Sequence, residues 1–375
     1  MTTRRDILAL GALMPFLHAC GGGSGGSASS DAFQNAVHDT VPTAIPADDW
    51  PTGAPESQGL TSATMLQLMN GAAKVPFLFS LLVVRNGVMV GESYFNGAKS
   101  SDMQEVESIT KTVSSLLVGT ALRDGKLAST SDTLRALLPR EIAMVPNSVA
   151  GDVTLGDVLT MRSGLAWNET AQQAMLASQT LTLSALGLPS DGTRHGNHWN
   201  YSSAVSHLLS PILANAYGMN EEAIATHNLF GPLGIKQSSW VANTAGENFG
   251  SFGLHLRTRD LMKIAWMSMQ GGQWQGKSVV PAEWLTTSQS NLIGGSLGHE
   301  ASFSQIGYGN LWWNGTMAGK NVIIAWGFGG QFAILVPELQ MAIATASKTA
   351  NLTMAAARAQ EEVVLNLIGA YLAAI

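Results

Sequence analysis

The sequence predicts an α/β (α+β) domain: one sheet built from both ends of the globular region, with a mostly helical domain inserted between the two contributions. Three observations lead there. β-prone runs flank an Asn86-Gly87 turn near the start, a second strand-rich region occupies residues 322–345, and the segment between reads as helices joined by long loops. The composition agrees. With 46% hydrophobic and 12% charged residues over 375 positions, the chain can bury a large core, which excludes a disordered or low-complexity protein. Its 40 glycines and 13 prolines are scattered and not periodic, which argues against a repeat protein or coiled coil. A net charge of −6 without a basic stripe argues against nucleic acid as a partner.

Residues 1–20 are expected to be an address and not part of the fold. Arg4 and Arg5 precede an apolar run from Ile7 to Ala19, an approximate twin-arginine export signal that is too short to span a bilayer. The run ends in Leu17-His18-Ala19-Cys20, which has the form of a bacterial lipobox. Cys20 is the only cysteine, so no disulfide can form within the chain, and the thiol reads as a lipid anchor on an exported, periplasmic or cell-surface protein. An ordinary cleaved signal peptide is the alternative. Residues 21–49, opening on Gly21-Gly22-Gly23-Ser24-Gly25-Gly26-Ser27, read as a flexible tether. The G-x-S-x-G pattern inside it has no preceding strand and is set aside.

The globular domain is expected over residues 50–375, with its sheet part at about 50–115 and 255–375 and its helical part at about 116–254. Thr61 or Ser62 can cap a helix whose Met65, Leu68 and Met69 share a face. Ser80 to Arg85 and Val88 to Val90 flank Asn86-Gly87, the strongest short-range hairpin signal. Helices are expected over Leu155–Met161, Ala204–Tyr217 and Glu221–Phe230. Strands follow at Val322–Ala325, Phe332–Val336 and Met341–Thr345, and an amphipathic helix from Ala356 to Ile375.

Chemistry concentrates at Ser108-Ile109-Thr110-Lys111, just ahead of an apolar run that Gly125 is placed to stop. Three positions apart on a helix, the two side chains share a face, so the Lys111 amine can approach the Ser108 hydroxyl. A serine hydroxyl is a poor nucleophile until a base takes its proton, and a desolvated lysine can have its pKa lowered enough to help. A helix N-terminus adds donors and positive potential where an oxyanion forms. Of all the lysines, only Lys111 has a serine three residues before it. A capped surface helix with a solvated lysine is the bland alternative for the motif taken alone.

The stretch Glu107 to Thr112, with Leu117-Val118-Gly119-Thr120-Ala121 and Gly125-Lys126-Leu127 behind it, resembles the nucleophile segment of β-lactamase-related serine hydrolases (class C-like). Its likeness is greatest to the branch of 6-aminohexanoate-dimer hydrolases and family VIII carboxylesterases. Leu159 to Trp167 is similar to that group's L-T-M-x-S-G-L segment, Asn200-Tyr201-Ser202-Ser203 to its tyrosine motif, and Gly327-Phe328-Gly329-Gly330-Gln331 to its site-closing strand. The resemblance runs from about Pro55 to Lys348. It implies the β-lactamase/transpeptidase-like fold, an antiparallel sheet flanked by helices. It makes Tyr201 the third catalytic group, exchanging a proton with Ser108 while Lys111 lowers its pKa. It also implies an oxyanion hole from the backbone N–H groups of Ser108 and Phe328, with Trp167, Ser203, Trp326, Gly327 and Gly329 lining the substrate site.

Two departures redirect that reading. Ala325-Trp326-Gly327 stands where β-lactamases and D,D-peptidases have K-T-G, whose cation grips a substrate carboxylate; Ser347-Lys348-Thr349 follows the last strand and is a decoy. Ser203 replaces the usual Asn, removing one amide contact to a substrate acyl group. His195 and His198 have a spacing compatible with a metal but no evident carboxylate or thiol partner, so they are expected to support the cleft. Trp167, Trp199, Trp312, Trp313 and Trp326 fall in or near the motifs and are candidates for an apolar acyl pocket. The expected activity is hydrolysis of a small ester or amide through an acyl-Ser108 intermediate, without metal or organic cofactor. A D,D-peptidase or β-lactamase, and an inactive lipid-anchored binding protein of the same fold, are the rivals.

Overall fold

The computed structural model describes residues 50–172, 180–290, 293–295 and 301–375; the expected export signal, Cys20 and the tether lie outside the described residues. Among the described residues, thirteen strands run in chain order. They are β1 (Leu78–Arg85), β2 (Val88–Tyr94), β3 (Met103–Glu105), β4 (Ser239–Trp240), β5 (Leu254–Arg257), β6 (Gln273–Trp274), β7 (Lys277–Ser278), β8 (Ile293–Gly294), β9 (Phe303–Gly309), β10 (Trp312–Met317), β11 (Lys320–Gly327), β12 (Gln331–Val336) and β13 (Met341–Ser347). Eight of them form one sheet in the order β2-β1-β13-β12-β11-β10-β9-β8. Every neighbouring pair is antiparallel. The N-terminal hairpin therefore joins the C-terminal strands across β1 and β13, where Leu81 faces Thr345 and Val83 faces Ile343.

Local chemistry explains the edges of these elements. Asn86 (φ 51°) and Gly87 (φ 80°) both occupy the left-handed region that a two-residue type I′ hairpin demands. The Thr61 hydroxyl accepts from the Thr64 N–H and starts the helix Ser62–Ala73. β12 and β13 are buried along their whole lengths, so the sheet is covered on both faces. On one face the Ser80 hydroxyl meets that of Thr258, at the start of the helix Thr258–Met269, at 2.7 Å. Val83 points to the other face, where its partner Gly91 leaves room for Met65 and Met69 of the first helix. That helix packs on the C-terminal helix Met354–Ala373, closely enough that a Cβ on Gly71 would lie 2.6 Å from Leu367.

The central helix, Ile109–Arg123, has thirteen consecutive buried residues from Ile109 to Ala121 and runs unbroken through the seam expected near residue 115. Around it lie short helices: Leu155–Leu159, Ser203–His207, Leu209–Tyr217 and Glu221–Ala225. Two differ from the sequence expectation in detail. The helix expected over 204–217 is interrupted at Leu208, and the one expected over 221–230 widens into a π turn from Thr226 to Phe230. A three-stranded sheet, β3-β5-β4, delivers the chain to the start of the central helix. Among the described residues no helix is long and apolar enough to cross a membrane.

Candidate active site

Ser108 sits at the N-terminal end of the central helix. The approach is held by the Val106 N–H donating to Leu254 O of β5 at 2.8 Å, and by a left-handed turn at Glu107 (φ 51°), a costly conformation for a residue with a side chain. Ser108 itself makes no side-chain capping bond, so its hydroxyl is left for Lys111, whose Nζ lies 2.8 Å from Ser108 Oγ. The same nitrogen donates to Ser251 O at 2.8 Å and is 1% exposed. Burial lowers the Lys111 pKa to about 8, against the upward pull of the Glu169 and Glu107 carboxylates.

Tyr201 immediately precedes Ser202, the N-cap of the helix Ser203–His207, and hydrogen-bonds to Ser108. Its ring stacks on Trp313 at 6.1 Å and meets Trp199 at 6.4 Å. Burial raises its pKa well above the ordinary phenol value, and the Glu169 charge raises it further. This corrects the expectation that Lys111 lowers it. The Lys111 hydrogen bonds go to Ser108 and Ser251, while its ammonium lies over the Tyr201 ring, 5.1 Å from the centroid. Tyr201 is therefore a phenol able to pass a proton, not a resting phenolate.

Trp313 continues the aromatic wall to Trp326 at 5.8 Å, and Trp326 packs on Phe332 at 5.4 Å. Tyr308, beside Trp313 at 4.7 Å, backs the wall. Trp199, Trp313 and Trp326 thus form one surface leading away from Tyr201. Trp312, its neighbour on β10, projects to the opposite face by strand alternation.

The turn from Gly327 to Gln331 joins β11 to β12 and lies against the nucleophile turn. A Cβ on Gly327 would sit 2.4 Å from Val106 O and 3.2 Å from Glu107 Cβ, so only glycine permits the approach. Phe328 and Ser108 are the next residues on either side of that contact. Among the described residues no protein acceptor takes the backbone N–H of either, the condition for a two-donor oxyanion hole. Gly329 is different. Its N–H donates to Glu361 Oε1 at 2.8 Å and its carbonyl accepts from Gln360 Nε2 at 3.0 Å, so it shapes the turn and is not the substrate contact expected of it.

Ser203 also departs from expectation. It is 3% exposed, and both its N–H (2.8 Å) and its hydroxyl (2.7 Å) donate to the Glu169 carboxylate, which also takes the Trp167 indole N–H. Trp167 and Ser203 therefore hold Glu169, and Glu169 is the group presented to Lys111 and Tyr201. A second acidic group lies below: the Glu107 carboxyl is pushed well up by burial and by Glu105, with Thr349 bonded to it and Glu361 nearby. Glu107 opens the nucleophile segment quoted above, whereas Glu169 and Glu361 carried no sequence signal of their own.

The decoy Lys348 is exposed, one residue beyond β13. The histidines do have carboxylate partners, each brought in by the fold: His195 Nδ1 lies 2.8 Å from Asp157, which also completes the capping box with Thr154, and His198 lies 3.6 Å from Asp191. Among the described residues no group of three or more metal-ligating side chains occurs.

A family model described as Beta-lactamase matches residues 71–366. The 6-aminohexanoate-dimer hydrolase of Paenarthrobacter ureafaciens is 24% identical over 326 residues, covering 78% of this chain and 81% of the relative. A solved structure provisionally named 6-aminohexanoate-dimer hydrolase, from Bacillus anthracis, superimposes with a TM-score of 0.67 at 16% identity, over 91% of this chain and 92% of that one. The octameric penicillin-binding protein homologue of Pyrococcus abyssi gives 0.63 at 17% identity, over 82% and 75%. These superpositions establish the fold, the β-lactamase/transpeptidase-like antiparallel sheet with helices expected from the sequence.

Proposed function

Because the chain belongs to the β-lactamase family, a family of serine hydrolases, we propose that it hydrolyses a small neutral ester or amide through an acyl-Ser108 intermediate, as an exported lipoprotein anchored at Cys20. One observation carries the chemistry: Ser108 Oγ lies 2.8 Å from the buried Lys111 amine and is hydrogen-bonded to Tyr201. Neutral Lys111 takes the Ser108 proton as Oγ attacks the substrate carbonyl. The Ser108 and Phe328 N–H groups receive the oxyanion, and Tyr201 relays a proton to the departing alcohol or amine. Water then attacks the acyl-serine with the same groups in reverse, releasing the acid and restoring Ser108.

Electrostatics supports a neutral substrate. Ala325-Trp326-Gly327 supplies no cation at the third motif, and the charges of Glu169 and Glu361 both reach Tyr201. A substrate carboxylate is repelled there, which disfavours penicillin-type turnover. The aromatic wall suits an apolar acyl group. A relative named for a 6-aminohexanoate dimer, two amino-acid units joined through an amide, keeps amides within the class.

The test is labelling by a fluorophosphonate, which traps an activated serine. Wild-type protein is expected to label and Ser108→Ala is not; absence of labelling, or labelling that survives the substitution, refutes the mechanism. Turnover of p-nitrophenyl butyrate but little of nitrocefin is expected, and the reverse preference would make this a β-lactamase. Cys20→Ala is expected to move the protein from the membrane fraction to the soluble one, and an unchanged distribution would remove the anchor.

A further inference from the structure

We infer that Glu361, on the C-terminal helix, is a positioning residue for the oxyanion hole, clamping the Gly327–Gln331 turn together with its neighbour Gln360. The inference rests on the acyl-Ser108 reading. Glu361 is 4% exposed, and its Oε1 accepts the Gly329 N–H at 2.8 Å, one peptide beyond the Phe328 donor. Gln360 Nε2 donates to the carbonyl of the same glycine at 3.0 Å and to Lys348 O at 2.9 Å. Adjacent residues of one helix thus grip the two polar groups of Gly329: Glu361 holds the N–H of the peptide that follows Phe328, and Gln360 holds the carbonyl of the next peptide, so both planes that meet at Gly329 are fixed.

The remainder of the turn is pinned independently. The Gly330 carbonyl accepts from Thr345 Oγ1 at 2.9 Å, and the Gln331 side chain exchanges two bonds with the Ser347 backbone, at 2.8 and 3.0 Å. Gly327 is pressed on Val106 O. In the stretch between, the peptide that carries the Phe328 N–H has its carbonyl, Gly327 O, bonded by the Gly330 N–H at 3.4 Å, and the polar groups of Gly329 are the ones held by side chains from outside the sheet. Glu361 also lies near the Glu107 carboxyl, so the same side chain underlies both turns that meet at the site.

A carboxylate beside an oxyanion is an unfavourable charge, so its place there calls for another benefit, and the Gly329 bond supplies it. Geometry then predicts which property matters: an acceptor oxygen, not the charge. Steady-state kinetics on p-nitrophenyl butyrate with the full chain tests this. Glu361→Ala is expected to lose about 10- to 100-fold in kcat with KM within about threefold, since a misplaced oxyanion donor is felt in the transition state. Glu361→Gln, whose carbonyl oxygen still accepts from Gly329, is expected to keep at least about a third of wild-type kcat. Gln360→Ala, half-buried and tolerant of truncation, is expected to lose about 3- to 10-fold in kcat. Ile368→Ala, buried on the same helix away from the turn, is expected to lower the melting temperature and leave kcat per folded molecule unchanged.

Wild-type kcat in both Glu361→Ala and Gln360→Ala overturns the clamp, as does an equal loss in kcat for Ile368→Ala. Should Glu361→Ala fail to fold, the Gln360→Ala and Glu361→Gln pair decides. Failure of the underlying reading is separately visible, because then the wild type itself neither turns over the ester nor labels with fluorophosphonate.

Discussion

In the proposed mechanism the protonation of Lys111 is expected to set a steep pH dependence on acylation. The amine must be neutral to take the Ser108 proton, and burial brings its pKa to about 8. A base of that strength is about one-tenth neutral at pH 7 and about one-hundredth at pH 6, whereas an ordinary lysine is neutral in roughly one molecule per few thousand at pH 7. Burial therefore supplies on the order of a few hundredfold more reactive base at neutral pH. Measured as kcat/KM for an activated ester, corrected for spontaneous hydrolysis, the rate is expected to rise about tenfold per pH unit below about pH 8 and to level above it. Glu169 holds Lys111 up by charge, so Glu169→Gln is expected to move the limb to lower pH. Glu107 acts in the same direction but titrates as well, so Glu107→Gln is the control: the limb persists, also displaced to lower pH. A flat profile, a midpoint near the ordinary lysine value, or loss of the limb in Glu107→Gln would refute the assignment of the base.

Three further outcomes follow from the geometry. Tyr201→Phe keeps the contacts with Trp199 and Trp313 but removes the relayed proton, so kcat is expected to fall about 10²- to 10⁴-fold with a nearly unchanged melting temperature; a loss below threefold would release Tyr201 from the mechanism. Trp326→Ala removes a side chain that is 5% exposed, at about 3–5 kcal/mol of stability, and is expected to shift ester chain-length preference. An unchanged preference sinks the apolar wall as an acyl site. Glu221, wholly buried at the start of the helix Glu221–Ala225, has its carboxyl pushed by burial to about 7 from an ordinary value of 4.5. The unfolded chain releases that proton first, so the stability is complete below the ordinary value and is lost as pH rises through about 7. Glu221→Gln has no proton to lose, and its melting temperature is expected to gain on wild type between about pH 5 and 8; parallel curves would contradict this.

Much of the fold was legible because local signals and global pairing agree. Asn86-Gly87 forces its hairpin whatever the sheet does, and the strands around the Gly327–Gln331 turn are rich in β-branched and aromatic residues. The β9–β10 hairpin was not legible. Its strands read Phe303-Ser304-Gln305-Ile306-Gly307-Tyr308-Gly309 and Trp312-Trp313-Asn314-Gly315-Thr316-Met317, with glycines and amides where strand formers are expected, and only pairing with β11 makes them sheet. The nucleophile was visible because Ser108 and Lys111 are neighbours on one helix. Glu169 and Glu361 reach the site by long-range packing, so no spacing announces them. The upward shift of Tyr201 comes from burial and from the Glu169 charge, both products of long-range packing that no motif encodes.

Those two late-arriving acids also bear on turnover. Glu169 and Glu361 make the potential at Tyr201 negative enough to push its phenol further upward. In the proposed reaction a neutral ester meets no charge penalty from these acids, and its transition state is expected to be served by the local Ser108 and Phe328 donors at short range. Deacylation then creates a carboxylate where none came in. With no third-motif cation to hold it, the field from Glu169 and Glu361 favours departure of the acid product. A K-T-G cation would do the opposite, gripping a carboxylate on entry and retaining it after hydrolysis. The Ala325-Trp326-Gly327 segment and the Glu169 carboxylate beside Ser203 are thus mutually consistent features. In the proposed reaction, the two together are expected to disfavour anions both on entry and after hydrolysis.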